Sequence, residues 1–204
     1  GNKRACSFGD ISTTSFFPAK PLGCYGDGGA VFTDNDEWAA LADSYRVHGK
    51  GMFKYDNVRI GMNSRLDTLQ AAILKIKFKA FREYELRDIN KAAALYTKLL
   101  AGRVKTPVTP EGYYSSWAQY TICLNSREER DALQACLKEQ GIPSMVYYPT
   151  PMHGQTAYKA LNAPTDCCPT AKRLCDTVLS LPVHPYITEE EIETVCSVIL
   201  GFVR

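Results

Sequence analysis

The chain reads as an α/β protein. Short strand-like runs alternate with amphipathic helices, several of which open on a capping signal, and turn residues punctuate the boundaries. Gly102, Pro107, Pro110 and Gly112 mark the main break. Residues 1–102 are expected to be part of a larger sheet domain ending in a long connecting helix, and residues 103–204 a small α/β domain.

Thr13–Phe17 and Ala30–Thr33 are the first strand-like runs, separated by a loop rich in Pro and Gly. They need more sheet neighbours than these two runs provide. Asp34 and Glu37 form a D-x-x-E cap, and Trp38, Leu41, Ala42 and Tyr45 follow at helical spacing. A loop with Gly49, Gly51 and Gly61 leads to the longest helical segment. There Leu66, Leu69, Ile73, Ile76 and Ala80 share one face, with Lys75, Lys77 and Lys79 mostly off it. Helical pattern continues, with a break or bend, to about Leu100.

In the second part, Gln119–Leu124 alternates like a strand. Ser126 and Glu129 form a capping box, and Leu133, Cys136 and Leu137 give that helix its apolar face, with Gly141 as its stop. Ser144–Tyr148 reads as a further strand. Thr188 and Glu191 cap a final helix striped by Ile192, Val195, Cys196, Ile199 and Val203.

Composition removes several function classes. The 204 residues are 45% hydrophobic and 23% charged, enough for a proper core. A net charge of +2, with Lys and Arg spread along the chain, provides no field to recruit nucleic acid or an anionic membrane. No apolar run is long enough to span a bilayer. No leader is expected, because no long apolar stretch follows Asn2, Lys3 and Arg4. The eight cysteines include no CxxC pair, and they read as free, buried thiols of a cytoplasmic protein. Cys167 and Cys168 are adjacent, and His48, His153 and His184 lie far apart, so no metal signature is read.

One stretch carries chemistry: STTSFFPAKPLGCYGDGGA at residues 12–30. Lys20 falls on a loop between two strands, between the stiffening Pro18 and Pro21. Gly23, Gly26, Gly28 and Gly29 let the main chain bend and approach a ligand closely. A lysine that forms an imine needs such a rigid, partly dry position. Taken alone, the same lysine is a solvated surface residue and the glycines are turn chemistry.

The string SFFPAKPLGCYGDGGA resembles the lysine segment of the DegT/DnrJ/EryC1/StrS family of pyridoxal-phosphate sugar aminotransferases. Four further blocks resemble that family in the same order: RVHG at residues 46–49, RIGMNSRLDTLQAA at 59–72, YYPTPMH at 147–153 and LSLPVHPYIT at 179–188. The resemblance implies a fold-type-I chain, comprising part of the large-domain sheet plus the small C-terminal domain. Relatives are much longer, with their lysine near the middle. The half not seen here would supply a helix N-terminus for the cofactor phosphate, an aromatic against its ring and an Asp on its pyridine nitrogen.

It further implies that Lys20 carries pyridoxal 5'-phosphate, which cycles through pyridoxamine phosphate, and moves the proton. Ser15 would bind the cofactor phosphate, and Asn63 would reach the phosphate in the neighbouring subunit of a homodimer. Arg65, Tyr147, Tyr148 and His153 would lie towards the sugar nucleotide. The family often has His where this chain has Tyr147. Each residue has a plainer reading: Ser15 as a strand hydroxyl, Asn63 and Arg65 as part of a helix start with Ser64 and Asp67, and one of Tyr147 and Tyr148 as core. His48 and His184 read as structural. The implied reaction moves an amine from an amino acid, glutamate foremost, to a nucleotide-linked keto sugar. The motifs sit nearest the UDP-linked 3-keto (uronate) branch of surface-polysaccharide synthesis. Family dehydratases replace the lysine, and Lys20 argues against that branch. A non-catalytic fragment that only dimerises is the other alternative.

Overall fold

The computed structural model describes residues 3–162, 164 and 167–203. The chain forms two compact units, Gly1–Tyr84 and Glu85–Arg204. The sequence boundary was expected near Gly102, and the units divide earlier, ahead of the last long helical stretch of the first part.

In the first unit, strand β1 (Ser12–Ser15) pairs antiparallel with β2 (Gly29–Phe32), from Ser12 opposite Phe32 to Ser15 opposite Gly29. Helix α1 (Asp36–Tyr45) follows. Its cap is Asn35, one residue beyond the expected Asp34. Asn35 is the residue with extended backbone, and its side chain accepts the Trp38 N–H at 3.0 Å. Helix α2 (Thr68–Ala80) starts after Asp67, whose side chain makes no capping bond. Leu74 is the buried residue of α2, while Leu69 and Ile76 are 79% and 75% exposed. Of the stripe read from the sequence, Leu69 and Ile76 are thus left uncovered by this chain, Ile73 and Ala80 are half-buried, and Leu66 precedes the helix. Phe81–Glu85 forms a π-helical turn, which matches the expected break in helical pattern.

The second unit begins with helix α3 (Leu86–Leu100), which buries Ile89, Ala92, Ala93, Tyr96 and Leu100. Ala92, Ala93, Tyr96 and Leu100 belong to the core made with β3 (Tyr120–Cys123), β4 (Val178–Leu181), α4 (Arg127–Glu139) and α6 (Glu189–Phe202), which is why α3 groups with this unit. Strands β3 and β4 pair antiparallel, Tyr120 opposite Leu181 and Cys123 opposite Val178. Tyr96 and Tyr120, both fully buried, stack with ring centroids 5.0 Å apart. The Tyr96 hydroxyl donates to the Pro182 carbonyl at 2.9 Å, and the Tyr120 hydroxyl lies 2.8 Å from that of Thr97, so neither phenol is stranded in the core.

The N-terminal caps expected for the two helices of the second part both form. Thr188 and Glu191 make a complete capping box at α6. At α4, Ser126 accepts the Glu129 N–H, but the Glu129 carboxylate returns to the Asn125 N–H and not to the cap residue. Gly141 takes φ +71° just past α4, the left-handed position that ends a helix cheaply only with glycine. The expected strand Ser144–Tyr148 is reduced to one bridge, Met145 to Ser180. Pro143 and Pro149 flank it and remove N–H donors at each end. Helix α5 (Pro169–Thr177) passes straight into β4 with no turn residues between them. Among the described residues no helix is long and apolar enough to cross a membrane.

Candidate functional site

Lys20 lies on the loop that joins β1 to β2, and its backbone is fixed by local bonds. Lys20 N–H donates to Phe17 O at 2.8 Å, closing a turn. Phe16 forms the base of the loop: its N–H donates to Gly28 O and its carbonyl accepts the Cys24 N–H, both at 2.8 Å. The buried Cys24 thiol adds a bond to Phe16 O at 3.0 Å. A Cβ on Gly23 would stand 2.6 Å from both Phe17 O and Pro18 O, so the loop closes this tightly only with glycine there. The turn leaves the Lys20 side chain exposed, and among the described residues no ion pair holds its ammonium.

Ser15 ends β1. Its Oγ accepts the Phe17 N–H at 3.2 Å, which leaves its O–H to donate elsewhere. Sequence reasoning did not assign a role to Gln70. Its Oε1 accepts the Tyr25 N–H at 2.7 Å and so ties α2 to the lysine loop. The signal was present in the sequence, since Gln70 is the glutamine of the LQAA block.

The RVHG and GMNSR segments, read separately from the sequence, pair with each other. Val47 bridges Asn63, His48 N–H donates to Met62 O at 2.9 Å, and Ser64 N–H donates to Arg46 O at 2.9 Å. Asn63 and Arg65 thereby border an open recess of about 1060 Å³, together with Thr13, Asp27, Asp43 and Arg46. Ser15 and Lys20 do not line that recess. Asp43 is tied to Arg46 and Lys50, and these two cations hold its carboxyl below the usual range, Lys50 most strongly. Asn63 and Arg65 are exposed and precede α2 without capping it.

The second unit holds the remaining predicted residues. Tyr147 and Tyr148 are 41% and 67% exposed, with their rings edge-on at 5.6 Å. Neither belongs to the core, because the strand expected to sort them onto opposite faces does not form. His153 lies in a short 3-10 turn, Met152–Gly154, and borders a recess with Arg127, Lys172 and Asp176. His184 Nδ1 accepts the Tyr186 N–H at 3.3 Å, in keeping with a structural role. No disulfide joins the eight cysteines, as expected for thiols, but only Cys24, Cys175 and Cys196 are buried.

The residues of the lysine loop fit pyridoxal phosphate: an exposed primary amine on a backbone locked by Gly23 and Cys24, and a free hydroxyl donor at Ser15.

The family model for the DegT/DnrJ/EryC1/StrS aminotransferase family matches residues 1–200. A UDP-2-acetamido-2-deoxy-3-oxo-D-glucuronate aminotransferase from Pseudomonas aeruginosa is 42% identical over 196 residues, covering 96% of this chain and 52% of the relative. A UDP-N-acetyl-3-dehydro-alpha-D-glucosamine 3-aminotransferase from Acidithiobacillus ferrooxidans is 41% identical over 194 residues, covering 95% and 51%. The crystal structure of a DegT DnrJ EryC1 StrS aminotransferase from Brucella abortus is 47% identical with a TM-score of 0.90, covering 96% of this chain and 52% of that one. The chain spans about half the length of the curated relatives it matches. By sequence and by structure, it belongs to the DegT/DnrJ/EryC1/StrS aminotransferase family.

Proposed function

We propose that these residues serve a fold-type-I, pyridoxal-phosphate-dependent aminotransferase that moves an amine from L-glutamate to a UDP-linked 3-keto sugar, a uronate or related hexose. The observation that carries this is the pinned loop: Lys20 is presented at a fixed position, with Ser15 on the adjoining strand. The UDP-3-keto assignment is supported by the two UDP-sugar relatives.

When bound, pyridoxal phosphate supplies an electron sink for charge developing beside the transferred nitrogen. Lys20 Nζ would hold the cofactor covalently, and its amine would serve as the proton carrier at the substrate carbon. The Ser15 hydroxyl donates to the cofactor phosphate. Asn63 donates its amide to the phosphate bound by a second copy in a homodimer, so the site is shared. Arg65 offers a guanidinium to the diphosphate, and Tyr147, Tyr148 and His153 offer donors to the sugar. Eight cysteines without a disulfide favour the cytoplasm, where nucleotide sugars are used, and polysaccharide synthesis is the fitting pathway class.

A second reading follows from the exposed Leu69 and Ile76: the chain serves only as a dimerisation surface. Incubating a protein of full family length that carries these 204 residues with nitrogen-15 glutamate and UDP- or dTDP-linked keto sugars separates the readings. Label in a UDP-3-amino sugar supports the proposal. Label only in a dTDP product corrects the nucleotide, and no transfer to any sugar leaves the dimerisation reading.

A further inference from the structure

The sequence showed no metal signature, yet the fold gathers one. The ring nitrogen of His153 and the sulfurs of Cys167 and Cys168 all lie within 4.8 Å of one another. We propose that these three side chains form a binding site for a thiophilic metal ion, zinc foremost, separate from the Lys20 loop.

The geometry is close to that of a ligand set. A tetrahedral zinc with bonds of about 2.0–2.3 Å spaces its ligand atoms roughly 3.5 Å apart. Closing to that spacing takes about an ångström of side-chain motion, and the cysteines are exposed while His153 is half-buried, so rotamer changes suffice. Neighbouring cysteines in an extended chain point apart. Here each backbone is held in a different local structure. Cys167 N–H donates to Pro164 O at 3.2 Å, while Cys168 sits at the N-cap of α5, its carbonyl accepting the Lys172 N–H at 3.1 Å. His153 is fixed by the bonds Gly154 N–H to Pro151 O and Gln155 N–H to Met152 O, at 2.9 and 3.1 Å.

The donor set decides the metal class. Two thiolates and an imidazole favour zinc or cuprous copper over magnesium, calcium or manganese, which prefer oxygen. Two thiolates also balance the charge of a divalent ion. Three protein donors leave the fourth tetrahedral position to water or a small ligand. Because His153 is also a proposed sugar contact, an ion held here withdraws that ring from the sugar.

The test uses the 204-residue chain, reduced and freed of metal, titrated with cobalt(II) as the spectroscopic stand-in. The expected result is one equivalent bound with intense near-ultraviolet sulfur-to-cobalt absorption, displaced by zinc. His153→Ala and the double variant Cys167→Ser/Cys168→Ser should each weaken binding beyond the roughly 10–100-fold that losing an outer-shell partner costs. Cys123→Ser and Cys136→Ser, on β3 and α4, should leave it unchanged. Matching far-ultraviolet circular dichroism shows that each variant is folded. No absorption in the folded, reduced chain, or absorption that survives the double variant, overturns the proposal.

Discussion

Gln70 Oε1 accepts the backbone N–H of Tyr25 at 2.7 Å, joining α2 to the lysine-bearing loop across a long stretch of sequence. A single side chain thus couples two segments that the sequence presents as separate motifs. Gln70→Ala should cost about 1 kcal/mol of local stability, the usual net value of one such bond. Hydrogen exchange at the Tyr25 amide should then accelerate by about fivefold, with exchange in α3 and β4 unchanged. Equal exchange at Tyr25 in both proteins would show that the tether is incidental.

Gly23 sets the tightness of the same loop. Gly23→Ala places a methyl group 2.6 Å from two backbone carbonyl oxygens, so the turn at Phe17–Lys20 must open. Forced repacking of this kind costs about 1–3 kcal/mol. Amide exchange in the loop should rise while urea unfolding of the second unit keeps its midpoint. A protein with native loop protection would contradict the steric account.

The second unit should weaken in alkali through Cys196. Burial pushes this thiol up to about 11, and the side chain is 2% exposed. The unfolded chain releases the proton near pH 8.5, whereas the folded chain keeps it. Stability is therefore full below about pH 8.5 and falls as pH climbs towards the folded value, by at most about 1.4 kcal/mol per unit. Denaturant unfolding between pH 8 and pH 10 should show a loss of about 2 kcal/mol. Cys196→Ala should begin less stable, from its cavity, but lose less over that range. Parallel slopes for the two proteins would assign the loss to other groups.

Legibility in the sequence followed how local each signal was. The Thr188–Glu191 box was readable because both of its bonds span a single helical turn. The lysine loop was readable as a motif, but the Gln70 tether was not, since no local pattern pairs residues that far apart. The start of α1 was misplaced by one residue because Asp34 and Asn35 both suit a cap, and backbone conformation chose Asn35. Ser144–Tyr148 has β-type residues, but flanking prolines and a single bridge to Ser180 leave it irregular. Helix α5 and β4 went unread, since no turn residue separates them and β4 is buried throughout with no alternation. The Leu69–Ile76 stripe was read correctly as a helix face. Its periodicity encodes a surface to be covered, and this chain spans about half the length of its relatives.

Lys20 is the residue proposed to carry the cofactor. The most direct test is borohydride reduction of a full-family-length protein carrying these residues, after incubation with pyridoxal phosphate, followed by peptide mass mapping. One phosphopyridoxyl group is expected, on Lys20, absent from Lys20→Ala. Label that is missing, scattered over other lysines, or undiminished in Lys20→Ala would contradict it.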